Sequence, residues 1–246
     1  MRPSSSRDSS VKDEIYNQAQ PHLVDFAFDS RVAAVFPDMI RRSVPGYELV
    51  VPLSALMAAR HLNGGERVYD LGCSLGATTL SLLTHLGSRA CDIVSVDNAP
   101  AMLERARQLV TDPRVRFVEA DIATLPLDPA RVVLCNWLLQ FLPPQTRDEV
   151  IARIARALRG GGMLLMAEKI RDEDADTQDF FDASHLAFKA ANGYTELEIS
   201  QKRAAIENVM IVDTERIHRQ RLHAAGFSTV RVWYRCLNWI AIAAWA

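Results

Sequence analysis

Apolar and polar positions follow two rhythms along this chain, and the switches between them mark its elements. From residue 28 to 47, FDSRVAAVFPDMIRRSVPGY spaces its apolar residues as one helix face and stops at Pro45-Gly46. Helical spacing returns over 50–62 and ends at Asn63-Gly64-Gly65. Short apolar runs then alternate with helical stretches. RVYDLG, CDIVSVD, VRFVEAD, RVVLCNW and GMLLMAEK read as buried strands, with helices at 78–86, 100–110 and 146–158. That alternation predicts βαβ units and a parallel sheet covered on both faces. After AEKI the rhythm breaks. Residues 171–212 are charged and helical with no strand, an insertion expected to lie across the sheet's carboxyl edge. A last helix near 213–225 leads into GFSTVRVWYRCLNWIAIAAWA, two strands with a tight connection. The expected fold class is therefore α/β and Rossmann-like, with a mainly parallel seven-stranded sheet and an antiparallel last strand.

The first twenty residues are polar and serine-rich and are expected to be a disordered tail. Residues 21–246 are expected to form a single α/β domain, a size that 246 residues comfortably supply. Hydrophobic residues make up 49% and charged residues 24%, a globular profile. The net charge of −2 lacks the basic surplus of proteins that grip nucleic acid by its phosphates. No apolar run reaches the roughly 18–20 residues of a membrane span, and the N-terminus has no signal-peptide core. The four cysteines, Cys73, Cys91, Cys135 and Cys236, are scattered without a C-x-x-C pair. This fits a reducing cytoplasm and no metal.

The chemistry concentrates at the ends of the predicted strands, where open α/β sheets bind ligands. The first strand runs into Gly72-Cys73-Ser74-Leu75-Gly76. This is neither G-x-G-x-x-G nor G-x-x-x-x-G-K-[ST], so both phosphate-binding fingerprints fail. Asp70, just before the loop, repels pyrophosphate and favours a ligand with a positively charged amino acid part. Asp97 follows about 25 residues past the first glycine, where an acid takes ribose hydroxyls. Asp121 at the third strand end can accept from an adenine amine, and the Ile122 N–H can serve a ring nitrogen. Asn136 ends the fourth strand and points at the same place. Each has a plainer reading: Asp97 caps the next helix, Asp121 closes a turn, Cys73 fills space. Their convergence on one edge favours a shared ligand.

Taken together the set resembles the class I S-adenosylmethionine methyltransferase fold over residues 66–169. A methyltransferase acting on a small molecule or tRNA would share every one of these residues. NWLLQF, however, is not the N-P-P-Y type of box found in amino-group methyltransferases. In the fold it resembles, an insertion after the fifth strand overhangs the ligand's sulfonium end, so Tyr194, Lys202 and Arg203 are expected there, where an arginine fork suits a carboxylate. A closer likeness follows from SVPGY, YDLGCSLGATTLS, DNAPAM, LQFL and above all NGYTELEISQKR with IENVM. These resemble the carboxy-S-adenosyl-L-methionine synthase family from about residue 25 to near the C-terminus. Ala204 departs from the small polar residue expected there. The resemblance implies S-adenosyl-L-methionine and prephenate as substrates, carboxy-S-adenosyl-L-methionine and phenylpyruvate as products, and no metal. The resemblance also implies that the product supplies a separate enzyme that modifies the wobble uridine of tRNA. Implied contacts to the nucleoside are Tyr47, Gly72, Cys73, Ser74, Asp97, Asn98, Asp121, Ile122 and Asn136, with Arg203 on the transferred carboxylate as the catalytic contact. A homodimer is also implied, with apolar C-terminal residues such as Trp239 and Trp245 available to it.

Overall fold

The computed structural model describes residues 11–18, 26–206 and 209–246. Its helices begin where the sequence can cap them. Asp29 accepts the Val32 N–H to start α1 (Ser30–Ser43), Asp174 caps α6 (Ala175–Ala191) and Thr214 caps α8 (Glu215–Ala224). Gly46 adopts a left-handed φ of 79° between α1 and α2 (Tyr47–His61). A side chain there would collide with the Tyr234 ring, so the turn needs glycine for space as well as for conformation.

Seven strands form one sheet: β1 (Arg67–Leu71), β2 (Asp92–Asp97), β3 (Val115–Glu119), β4 (Val132–Asn136), β5 (Met163–Lys169), β6 (Thr229–Cys236) and β7 (Trp239–Trp245). Their order is β3-β2-β1-β4-β5-β7-β6. The first five run parallel, and β7 lies antiparallel to both β5 and β6. The chain builds outward from β1 on one side, then returns to add β4 on the other. Beyond the carboxyl ends of β1 and β4 a crevice must therefore open. Strand alternation sorts the core into two layers. Tyr69, Val94, Val133 and Leu164 face α5 (Pro144–Ala157) and α8, whereas Val68, Ile93, Val132 and Leu165 face α2 and α3 (Ala77–Leu86). The remaining helix of the repeating units, α4, covers Pro100–Leu109.

The segment 171–212 leaves the sheet after β5 and returns beside its point of departure, where Ile170 bridges Asp213. It carries α6 and α7 (Glu196–Ile206). Arg147 pins the return. It is fully buried and donates to Asp213 Oδ2 at 2.8 Å and to the carbonyls of Leu142 and Ile211.

Two expectations need correction. Residues 11–18 of the supposed disordered tail pack against α1 and α7, with Asp13 only 1% exposed and Tyr16 buried. The rest of that tail lies outside the described residues. Trp239 is buried and so is not available to a partner copy, whereas Trp245 is half-buried against the α2–α3 layer. Among the described residues, no helix is long and apolar enough to cross a membrane.

Arg147→Met should keep the stem's packing while removing one of the two arginines on the half-buried Asp213, the other being Arg221, together with the donors to the Leu142 and Ile211 carbonyls. A loss of roughly 1–3 kcal/mol is expected in urea unfolding, because Arg221 still pairs with Asp213. A loss below about 1 kcal/mol would show that the pairing adds nothing to the fold.

Candidate functional site

The loop between β1 and α3 is held in shape by its neighbour strand. Gly72 and Cys73 N–H both donate to the Val96 carbonyl, at 2.8 and 3.0 Å. Gly72, Ser74 and Gly76 all take positive φ, so the loop turns tightly and leaves backbone open to a ligand. Asp97 then locks it: one carboxylate oxygen accepts from Ser74 N–H at 2.8 Å, the other from Ala99 N–H at 2.9 Å. Burial raises the Asp97 pKa above its ordinary value, against the opposing pull of the Ala99, Ser74 and Asn98 N–H groups. Asp97 does not cap α4, whose N-cap Ala99 has no side-chain cap, but it braces the turn leading into that helix, and it also borders the cavity described below.

Asp121 closes a turn by accepting from Ala123 N–H at 2.8 Å and remains exposed at the cavity edge, beside the buried Ile122. Asn136 donates weakly to Thr78 Oγ1 at 3.5 Å, while its Oδ1 is buried without a hydrogen-bond partner among the described residues. Such an acceptor is costly to leave unpaired and suits a ligand's ammonium. Cys73 is buried, and burial pushes its thiol well above the usual range, so it is no nucleophile. Asp70 does not reach the ligand region. It is 2% exposed and accepts from the Thr79 hydroxyl at 2.6 Å, and burial pushes it up to about 6. It shares its strand face with Val68, so it points under the loop toward α3.

Glu168, 1% exposed on β5, fixes the segment that follows β4. It accepts from Leu138 and Leu139 N–H through one oxygen and from Gln140 N–H through the other. Burial pushes it up to about 8, against those donors and the nearby Arg147 charge. The same segment presents Trp137, whose φ is 56°, against the Tyr47 ring with centroids 5.2 Å apart. Burial raises the Tyr47 hydroxyl to about 12, so it stays protonated and can donate.

These elements enclose a cavity of about 800 Å³, near the upper end for small-molecule sites. Tyr47, Gly72, Cys73, Ser74, Asp97, Asn98, Asp121, Ile122, Asn136 and Arg203 all border it. Arg203 stands exposed on α7, which the N-terminal segment straps down. Asp13 Oδ2 accepts from Tyr194 Oη at 2.5 Å and from Lys202 Nζ at 3.3 Å, and Gln201 donates to the Tyr16 and Gln18 carbonyls. Burial lowers the Lys202 amine to about 8 despite Asp13.

Sequence reasoning missed Lys169, Lys189, His185 and Asp182, which border the same cavity. The signal was present: Lys169 ends β5 as the acids end other strands, and 182, 185 and 189 recur on one face of α6. His185 accepts no proton readily, because burial and the charge of Lys189 lower it to about 3. Among the described residues no group of His, Cys, Asp and Glu could hold a metal ion.

The acidic side chains bordering this cavity suit a cationic nucleoside, and its lysines suit an anion. A methyltransferase domain model matches residues 68–162. Solved methyltransferases share the fold at low identity. A putative O-methyltransferase from Nostoc punctiforme gives a TM-score of 0.63 at 16% identity, over 88% of this chain and 59% of that one. Human N-acetylserotonin methyltransferase, in complex with S-adenosylmethionine, gives 0.57 at 17%, over 87% and 55%. Full-length sequence likeness is far stronger. A carboxy-S-adenosyl-L-methionine synthase from Pseudomonas putida strain F1 is 48% identical over 96% of this chain and 99% of its own. One from Geobacter sp. strain M21 is 46% identical over 94% and 97%, and one from Shewanella sp. strain MR-7 is 47% identical over 95% and 98%. With such identity maintained from end to end, the chain belongs to the carboxy-S-adenosyl-L-methionine synthase family.

Proposed function

We propose that this enzyme is a transferase that converts S-adenosyl-L-methionine and prephenate to carboxy-S-adenosyl-L-methionine and phenylpyruvate. The observation that carries this beyond methyl transfer is that charges of both signs border the cavity. Asp97, Asp121 and the unpaired Asn136 oxygen border it at the ends of their strands, while Lys169, Lys189, Lys202 and Arg203 border it close enough to repel one another, with Asp182 beside them. A neutral methyl acceptor gives no reason for such a cluster of cations, whereas a carboxylate-bearing partner does.

The chemistry needs no strong base from the protein. Prephenate becomes aromatic by losing CO2 and hydroxide. The hydroxide takes a proton from the methyl on sulfur, giving water and an ylide whose carbanion sits beside the positive sulfur. The ylide carbon then bonds to the CO2 carbon, giving the carboxymethyl sulfonium. Atoms and charge balance, and His185, held neutral and weakly basic, is not required. The residues' work is to hold the partners in contact and exclude water, which would quench the ylide. Asp97 holds ribose hydroxyls, Asp121 and Ile122 the adenine, and Asn136 the ammonium. Tyr47, Gly72, Cys73, Ser74 and Asn98 complete the nucleoside's contacts, and Arg203 stabilises the new carboxylate.

The product serves a separate enzyme that modifies the tRNA wobble uridine. The net charge of −2 supports the view that this chain does not itself grip nucleic acid. We place it in the cytoplasm, where four unpaired cysteines are at home. We also take it to be a homodimer, for which exposed Leu49, Leu56 and Phe180 and the half-buried Trp245 offer apolar surface in place of the buried Trp239.

Asp97→Ala removes the acceptor that braces Ser74 and meets the ribose. S-adenosyl-L-methionine affinity by calorimetry is expected to fall about ten- to a hundredfold. Unchanged affinity would confine Asp97 to bracing the turn. Arg203→Ala should bind S-adenosyl-L-methionine nearly normally, yet lose about 2–5 kcal/mol of affinity for the carboxylated nucleoside. It should also lose prephenate-dependent turnover, with Lys restoring only part. Equal loss for both nucleosides, or none for either, would remove Arg203 from the carboxylate and favour methyl transfer.

A further inference from the structure

Prephenate carries two carboxylates with different fates. The one on the ring carbon leaves as CO2 and reappears on the nucleoside. The one on the oxopropanoate arm stays and departs with phenylpyruvate. Arg203, as assigned above, serves only the first. We propose that Lys189 of α6 and Lys169 at the end of β5 form a second carboxylate subsite, which holds the carboxylate that the co-substrate keeps. This rests on the reading of prephenate as co-substrate.

Both amines border the cavity, and neither has a hydrogen-bonded or ion-paired carboxylate among the described residues. The other charges nearby are already committed. Lys202 is bonded to Asp13, Ser43 and Tyr194. Asp182, the acid nearest the pair, spends Oδ1 on Asn238 Nδ2 at 3.2 Å and Oδ2 on Gln178 Nε2 at 2.8 Å. Lys189 consequently feels burial first, then Lys202, Lys169 and Arg203, with only Asp182 opposing them, and its amine is pulled down to about 7. Burial also lowers Lys169. An anion seated between them would relieve both the desolvation and the repulsion. A third donor stands in the same wall. The Trp239 indole N–H is buried without a partner, and its ring packs on His185 with centroids 5.6 Å apart. A planar oxo-acid group, with several acceptor oxygens, matches two ammonium groups and an N–H.

The subsite predicts a separation that no general loss of structure would produce. Phenylpyruvate carries only the retained carboxylate, so it is the probe, titrated by calorimetry into protein saturated with S-adenosyl-L-methionine. Lys189→Met and Lys169→Met should each weaken phenylpyruvate about ten- to a hundredfold, while carboxy-S-adenosyl-L-methionine stays within about twofold of wild type. Arg203→Ala should show the reverse. The KM for prephenate should rise in parallel, and Lys189→Arg, which keeps a cation, should recover part of it. Unaltered phenylpyruvate affinity in both lysine variants, or equal losses for phenylpyruvate and the carboxylated nucleoside, would overturn the subsite while leaving prephenate turnover by wild type in place. A wild type that neither binds phenylpyruvate nor turns over prephenate would instead overturn the co-substrate reading and the subsite with it.

Discussion

The buried carboxyl group of Glu168 determines how the cavity is built. It sits on β5, away from any ligand, and gathers three successive backbone N–H groups from residues 138–140. Those groups are the free donors of a 3₁₀ turn at Leu139–Phe141, which a buried segment cannot leave unpaired. With the turn fixed, Trp137 is held at its positive φ and reaches Tyr47, and Gln140 Oε1 accepts the Lys169 N–H. One interaction thus sets the β4 side of the crevice, the aromatic wall, and the strand end from which Lys169 projects.

The opposite wall is closed by a different kind of tie. α7 presents few apolar residues to the sheet, and its buried positions are the polar Glu198, Gln201 and Lys202 along with Ala205. Its placement depends on the strap around Asp13, where a phenol, an ammonium and a carboxylate meet out of water. Buried charge of this kind is a poor source of net stability but a strong constraint on geometry, because a misplaced partner strands the others. The consequence for function is positional: Arg203, next in sequence to Lys202, stands where the strap holds α7. The cavity then brings together acceptors at strand ends, Asp97, Asp121 and Asn136, and the cations Lys189 and Arg203 of the insertion. A site of this sort can seat a sulfonium and an anion in contact while excluding bulk water.

Much of this was legible in the sequence. The strand and helix rhythm gave the sheet, because buried parallel strands and amphipathic helices have different periods. Asp97, Asp121 and Asn136 were readable because each closes a strand, and the topology brings strand ends together. Asp70 misled for a reason of parity. It lies at the same strand end, yet side-chain alternation turns it toward Thr79 on α3 and beneath the loop. The strap was not readable at all. Asp13 meets Tyr194 and Lys202 across 181 and 189 residues, and a serine-rich, polar N-terminus carries no periodicity that announces a buried partner. Lys169 and Lys189 were readable in principle, but a search for acids at strand ends passes over a lysine in the same position.

The account stands on the transfer of an intact carboxylate from one substrate to the other. The most direct measurement is to supply wild-type enzyme with S-adenosyl-L-methionine and prephenate labelled with carbon-13 only in the ring carboxylate, then to analyse the nucleoside by mass spectrometry and NMR. The account expects the label in the carboxymethyl group on sulfur, with unlabelled phenylpyruvate formed in equal amount. Label released wholly as CO2 while the nucleoside remains uncarboxylated, or S-adenosylhomocysteine formed together with a methylated acceptor, would contradict it.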